Sequence, residues 1–339
     1  MHTTYKAVEV SAPDTFRLVD RPLSTPGAGQ VRIRVEACGI CHSDAATISG
    51  GLPGQTWPRV PGHEVIGRID ALGPSVSGWS IGQRVGVGLF GGEDGVCESC
   101  RRGDMVNCQH LTMPGFTVDG GFAEVMIAES RALTAVPEEL ASVDAAPLMC
   151  AGVTTYNALR NSGLRAGDLV AVQGIGGLGH LGVQFARRMG FHTVAIGRGA
   201  DKAPTAKSLG AHVYIDASIQ DPGAALRQLG GAKAILATAP AGSSIGPLLP
   251  GLAPRGRLIV VGLPSDAIQV SAIPLIFGGR TISGELTGTP IDMADTLAFS
   301  VLQDIRPMIE TVPLADAAAG YARMMEGKAR FRVVLVTGQ

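Results

Sequence analysis

"VAVQGIGGLGHLG", residues 170–182, places Gly174, Gly176 and Gly179 in the spacing G-x-G-x-x-G directly after an apolar run. The run reads as a strand. Leu178, Leu181, Gly182, Phe185 and Met189 then recur at helical spacing. A glycine-rich turn between a strand and a helix is built for a pyrophosphate. The first glycine permits the tight turn, the second lets the backbone approach the phosphates, and the third lets the helix pack on the strand. The helix start adds free N–H groups and the positive end of its dipole. Gly177 and Leu178 complete the turn and are expected to contact the same ligand.

Further strand-sized apolar segments continue the pattern: "TVAIG" (193–197), "VYID" (213–216), "AILATA" (234–239), "RLIVVG" (257–262) and "TISGEL" (281–286). Strands alternating with helix-sized segments argue for an α/β doubly wound parallel sheet. About twenty residues past the glycines, such a unit normally carries an acid for the ribose 2′-OH of NAD. Here "VAIGRGADK" (194–202) has Gly197 at that place, followed by Arg198 and then Lys202. A missing carboxylate and nearby cations leave room for a 2′-phosphate, so NADP is expected to be preferred, with NAD possible. The alternative is that Arg198 is only a solvated surface residue. On the NADP reading, Gly197→Asp should move preference toward NAD.

The segment before the turn is different. Residues 1 to about 110 are rich in Gly, Pro and β-branched residues, and "QVRIRVEACGI" (30–40) alternates as a half-buried strand does. "VIGRIDALG" and "GQRVGVGLF" are further strand candidates. After 291 come a helix candidate, "MADTLAFSVL", and a closing strand, "RVVLV". A chain of 339 residues exceeds one ordinary core. A hydrophobic content of 45% with 17% charged residues fits a well-buried globular protein. The net charge of −1 and the absence of a basic run argue against a nucleic-acid partner. No apolar run reaches membrane-spanning length. The N-terminus does not resemble a secretory signal, so a cytoplasmic location is expected.

Six cysteines in a chain this long are no disulfide framework. "GEDGVCESCRRGDMVNC" (92–108) sets Asp94, Cys97, Cys100 and Cys108 in D-x2-C-x2-C-x7-C. One loop with these spacings can wrap a single zinc ion in a closed structural site, the carboxylate being the hard member of a soft set. "EACGICHSDAA" (36–46) contains Cys38-x-x-Cys41-His42, which alone could attach a c-type haem. Cys41, His63 and Cys150 are far apart in the chain, so spacing alone does not join them.

"CGICHSD", "GHEVIGRIDALGPSV", the cysteine loop, "LMCAGVTTYNAL" and "GIGGLGHLG" together resemble the zinc-dependent alcohol dehydrogenases of the medium-chain dehydrogenase/reductase family, in order and over nearly the whole chain. The run G-H-E-x2-G-x5-G-x2-V, from Gly62 to Val76, is highly specific. The resemblance makes Cys41 a zinc ligand and Cys38 a bystander, which removes the haem reading. It implies a catalytic zinc on Cys41, His63 and Cys150, with Glu64 as a neighbouring or alternate ligand and Asp44 orienting the histidine. Ser43 resembles the hydroxyl that takes the alcohol proton. Where many relatives continue the relay with a histidine, this chain has Ala46, and His42 is instead expected at the cofactor pyrophosphate.

Thr154 resembles the threonine beside the nicotinamide. Arg332 resembles a pyrophosphate-binding arginine, with a surface ion pair as its alternative. Trp57 and Leu89 stand where relatives line the substrate pocket. His180 reads as a helix-surface residue.

The implied fold is a GroES-like β-rich catalytic domain, 1–151 and 287–339, with a Rossmann domain, 152–286, inserted in it and substrate bound in the cleft between. The implied function is reversible NAD(P)-dependent oxidation of small alcohols to aldehydes or ketones. The rivals are a cinnamyl-alcohol-type NADPH aldehyde reductase and a non-catalytic structural relative. Relatives of this length imply a homo-oligomer, a dimer or a tetramer.

Overall fold

The computed structural model describes residues 3–51 and 55–338. The chain divides into two compact units, Met1–Val153 with Thr287–Gln339, and Thr154–Leu286. In the first unit, β1 (Thr4–Ala12) and β2 (Thr15–Pro22) form an antiparallel hairpin. A separate mixed sheet begins with β3 (Gln30–Ile40), β4 (Val65–Leu72), β5 (Arg84–Val87), β6 (Val125–Glu129) and β7 (Thr134–Ala135). In β3, Val31, Ile33 and Val35 are buried while Arg34 between them is exposed, the period-2 pattern of a strand with one wet face. From Ala37 onward the strand is buried throughout.

The second unit holds β8 (Leu169–Gln173), β9 (His192–Gly197), β10 (Val213–Asp216), β11 (Ala232–Ala237), β12 (Leu252–Val260) and β13 (Thr281–Gly284). They form one parallel sheet in the order β10-β9-β8-β11-β12-β13. The strand order reverses between β8 and β11, and ligands of such sheets bind at that switch point. The glycine turn leaves β8 there. The helix Gly179–Arg188 follows, with Leu181, Val183, Phe185 and Ala186 buried. It approaches the sheet so closely that a Cβ on Gly182 would lie 2.8 Å from the Leu236 side chain.

The chain then returns to the first unit with β14 (Ile309–Pro313) and β15 (Arg332–Val336), which extend the mixed sheet to seven strands. β15 pairs antiparallel with β3, Val333 opposite Ile40. This segment holds more than the single helix and strand expected from it. β14 has no buried residue, and the helix Ala317–Met325 buries only Ala317, Gly320 and Tyr321, so neither leaves a strong apolar pattern. Strand ends also differ: β12 starts at Leu252 rather than 257, and β13 stops at Gly284 rather than 286. Among the described residues, no helix is long and apolar enough to cross a membrane.

Candidate active site

Strand register builds the first site. β3 and β4 are antiparallel with Cys38 opposite Val65, and the Gly39 N–H donates to the Glu64 carbonyl at 3.0 Å. The end of β3 therefore delivers Cys41 beside His63 and Glu64 at the start of β4. The pairing of β15 with β3 brings Arg332 to the same corner. Cys150 arrives from the end of the short 3-10 helix Ala146–Met149. Potential ligand atoms of Cys41, His63, Glu64 and Cys150 all lie within 4.8 Å of one another. Cys38 points elsewhere, its Sγ 3.7 Å from the Gly39 carbonyl.

Asp44 organises the group. It is 1% exposed. Its Oδ2 accepts the Cys41 backbone N–H at 2.8 Å, and its Oδ1 stands 2.9 Å from His63 Nδ1. The imidazole is thereby turned so that Nε2 faces the two sulfurs, as an outer carboxylate does for a metal-ligating histidine. Phe116 packs on the same ring, with centroids 5.2 Å apart. Burial works against charge on His63, but Asp44 overrides it and raises the ring's pKa. The Cys41 and Cys150 sulfurs are 3.9 Å apart. Their shared hydrogen bond makes Cys41 the acidic partner, well below the usual thiol range, and holds Cys150 well above it.

Glu64 is fully buried, and burial pushes its carboxyl up to about 7 against the pull of Arg332. Its Oε1 accepts a hydrogen bond from Arg332, while its Oε2 is buried without a hydrogen-bond partner. An unsatisfied carboxylate oxygen beside two thiols and an imidazole is a donor suited to a cation. Ser43 Oγ donates to Cys41 Sγ at 3.1 Å and lies 3.2 Å from His63 Nε2.

The second group is the loop of Asp94, Cys97, Cys100 and Cys108, whose ligand atoms also lie within 4.8 Å of one another. Sulfur separations are 3.5 Å for Cys97–Cys100 and 3.9 Å for Cys97–Cys108. The backbone N–H groups of Asp94 and His110 donate to Cys108 Sγ at 3.4 and 3.3 Å. Asp94 Oδ1 accepts the Val96 and Cys97 N–H groups, and Oδ2 lies 2.6 Å from His110 Nδ1. The Cys97 N–H, followed by His110, holds the Asp94 carboxyl well below the usual carboxylate range. Sequence reasoning missed His110, although it follows Cys108 by two positions.

In the second unit the three glycines divide their work. Gly174 has φ +88°, in the left-handed region. A Cβ on Gly179 would lie 1.7 Å from the Gly174 carbonyl oxygen, so the third position is closed to any side chain. A Cβ on Gly176 would meet nothing within 4 Å, which leaves its backbone open to a ligand. No side chain caps the following helix. Gly177 and Leu178 are half-buried in the turn. Past β9, Gly197 is buried, Arg198 exposed and Lys202 half-buried.

Residues 27–138 match the alcohol dehydrogenase GroES-like domain family, and residues 177–301 match the zinc-binding dehydrogenase family. The alcohol dehydrogenase notN of Aspergillus sp. (strain MF297-2) is 40% identical, with 98% of each chain covered. The chain belongs to the zinc-dependent, medium-chain alcohol dehydrogenase family. Among solved structures, a cinnamyl alcohol dehydrogenase from Sorghum bicolor superposes with a TM-score of 0.90 at 31% identity, covering 98% of this chain and 97% of that one. The structure of CAD from Helicobacter pylori complexed with NADP(H) gives 0.88 at 29% identity, covering 99% of both chains.

This alcohol dehydrogenase is thus an oxidoreductase that works with zinc and NAD(P), on a GroES-like and Rossmann-type fold. Its donor sets fit the metal. Two Zn–S bonds of about 2.3 Å at the tetrahedral angle separate the sulfurs by about 3.8 Å, close to the 3.9 Å between Cys41 and Cys150. The glycine turn fits a pyrophosphate, with Gly176 as its open cradle. Gly179→Ala is expected to weaken NADPH binding about 10- to 100-fold, since overpacking costs roughly 1–3 kcal/mol. A fluorescence titration, with zinc content unchanged as the control, measures it.

Other predicted residues have definite places. Thr154 is buried and donates from Oγ1 to the Leu286 carbonyl at 3.1 Å. His42 is exposed at the start of the short helix after Cys41. Trp57 is half-buried, its Nε1 donating to the Thr47 carbonyl at 3.1 Å, and Leu89 is buried. Two expectations are corrected. His180 is not on the helix surface: it is fully buried, its Nδ1 3.0 Å from the Gly176 carbonyl. The alternative of a surface ion pair for Arg332 also fails, because the arginine and Glu64 are both buried.

Proposed function

We propose that Cys41, His63 and Cys150 hold the catalytic zinc, with Glu64 in reserve, and that Asp94, Cys97, Cys100 and Cys108 hold a structural one. The single observation that carries this is the convergence beside Asp44 of four donors from three segments, one of them the buried, unsatisfied carboxylate oxygen of Glu64. When bound, the metal supplies Lewis-acid polarisation of a substrate oxygen, and the nicotinamide accepts or returns hydride. The chain's own residues do the rest. Asp44 fixes the imidazole, and Arg332 balances the charge of Glu64. Ser43 holds the proton of the alcohol, its Oγ standing between Cys41 and His63. Thr154 packs beside the nicotinamide, and His42 contacts the pyrophosphate.

The proton route ends early, because Ala46 stands in the short helix Ala45–Ile48 where a relay histidine would extend it. Ala46→His should raise alcohol oxidation several-fold at low pH and leave the high-pH rate unchanged. A pH–rate profile that does not move would argue against a histidine relay through this position.

The substrate is a small alcohol or its aldehyde or ketone, and NADP is the preferred cofactor. The missing acid at Gly197, the cations Arg198 and Lys202, and the NADP(H) complex of the Helicobacter relative support this. Initial rates over primary, secondary and aromatic alcohols and aldehydes, each with NAD(H) and NADP(H), test it. Turnover with NAD(H) alone would discard the 2′-phosphate reading and keep the enzyme. A clear excess of aldehyde reduction over oxidation would favour the cinnamyl-type reductase. The cytoplasm is the proposed compartment, supported by six unpaired cysteines.

The proposed assembly is a homodimer through the open edge of the parallel sheet. β13 is exposed along its whole length, and Ile273, Ile276 and Phe277 are 65%, 74% and 88% exposed beside it. An open edge flanked by apolar side chains suits an isologous partner. Phe277→Glu should produce a monomer in light scattering, and an unchanged mass would reject this face.

A further inference from the structure

We propose that Tyr214 is the cofactor-specificity residue of this enzyme, because its phenol occupies the place that the side chain of an acid at position 197 would need. The proposal deepens, and rests on, the reading of Gly197 as the position facing the ribose 2′ substituent. β10 runs parallel to β9 with Tyr214 opposite Ala195 and Asp216 opposite Gly197. The Gly197 backbone lies outside the left-handed region, so its conformation alone would accept any residue. The space would not. A Cβ built on Gly197 lies 2.5 Å from Tyr214 Oη, 3.0 Å from Cε2 and 3.2 Å from Cζ.

The half-buried ring is anchored where it stands. Its hydroxyl donates to the Gly199 carbonyl at 2.7 Å, and its backbone is held in the sheet. The same hydroxyl ties down a turn that Asp216 grips from the other side, its Oδ1 accepting the Gly199 N–H at 2.9 Å. That turn carries Arg198 and leads into Lys202. The phenol is neutral, and burial followed by the charge of Asp216 pushes its pKa further up. Tyr214 therefore does two things at once. It keeps a carboxylate away from the 2′ position, and it steadies the segment bearing the two cations. With the tyrosine in place, Gly197→Asp alone is an incomplete change.

The test is a double-mutant cycle on the full-length, zinc-loaded enzyme. Dissociation constants for NAD+ and NADP+ are measured on wild type, Gly197→Asp, Tyr214→Val and the double variant. Gly197→Asp alone should improve the NAD+/NADP+ preference less than about 3-fold. With Tyr214→Val added, the shift should exceed about 30-fold, because the carboxylate can then reach the ribose hydroxyl. A full shift from Gly197→Asp alone, with no more than about 2-fold from the second change, overturns the proposal.

Stability gives a readout independent of cofactor. Gly197→Ala should lower Tm by several degrees in the wild-type background, where Tyr214 is present, and leave it unchanged in the Tyr214→Val background. Equal tolerance of the alanine in both backgrounds also overturns the proposal. Wild-type affinities that favour NAD+ would reject the 2′-phosphate reading. Coupled Tm effects in that case would leave the exclusion by Tyr214 standing.

Discussion

His63→Ala is expected to lower kcat/KM for alcohol oxidation by about 10³- to 10⁴-fold, several kcal/mol at about 1.4 kcal/mol per decade. The effect is this large because the imidazole is the nitrogen donor in a set otherwise made of two thiols and a carboxylate. Its loss also strands Asp44. That carboxylate is 1% exposed and holds the Cys41 N–H with its other oxygen, so an unpaired buried charge would unsettle the Cys41 loop as well. Zinc content should fall by one equivalent per chain, leaving the metal on Asp94, Cys97, Cys100 and Cys108. Elemental analysis alongside kinetics separates the two sites. A variant that keeps both metals and loses only in KM would contradict the role given to His63.

Arg332→Leu is expected to destabilise the protein by about 3–5 kcal/mol, the cost of leaving one member of a buried ion pair alone. Arg332 is 3% exposed and Glu64 fully buried, so water cannot replace the guanidinium. The pair also crosses the fold, joining β15 to the start of β4. Adding Glu64→Met should restore most of the loss, since an apolar pair of similar volume can match a buried ion pair. Urea unfolding of the single and double variants measures both quantities. If the single variant is as stable as wild type, the pair is not the strut described here.

Parts of this architecture were legible in the sequence for clear physical reasons. β3 announces itself because its residues alternate between core and water. The glycine turn does so because a tight bend, an open backbone and a close helix each demand the smallest residue. What joins Cys41 to His63 is less visible. It is the antiparallel register of β3 against β4, a long-range pairing that leaves no local mark, and only the family resemblance linked the two beforehand. Arg332 depends likewise on the register of β15.

Polar residues misled where burial came with a local partner. His180 reads as exposed because it is a histidine. Yet the helix Gly179–Arg188 is buried over most of its surface, and the Gly176 carbonyl satisfies the ring. The tie between Tyr214 and Gly197 crosses two strands and had no sequence signal. The glycine alone showed that an acid was missing, without showing what stood in its place.

The most direct measurement is the visible spectrum of the enzyme with cobalt(II) in place of zinc. The account predicts two tetrahedral thiolate-bearing sites, of which only one changes its absorption when an alcohol is added with NADP+. That response should vanish in Cys41→Ser and survive in Cys97→Ser. A spectrum indifferent to alcohol and cofactor, or a response that depends on Cys97 instead of Cys41, would contradict the assignment of catalysis to Cys41, His63 and Cys150.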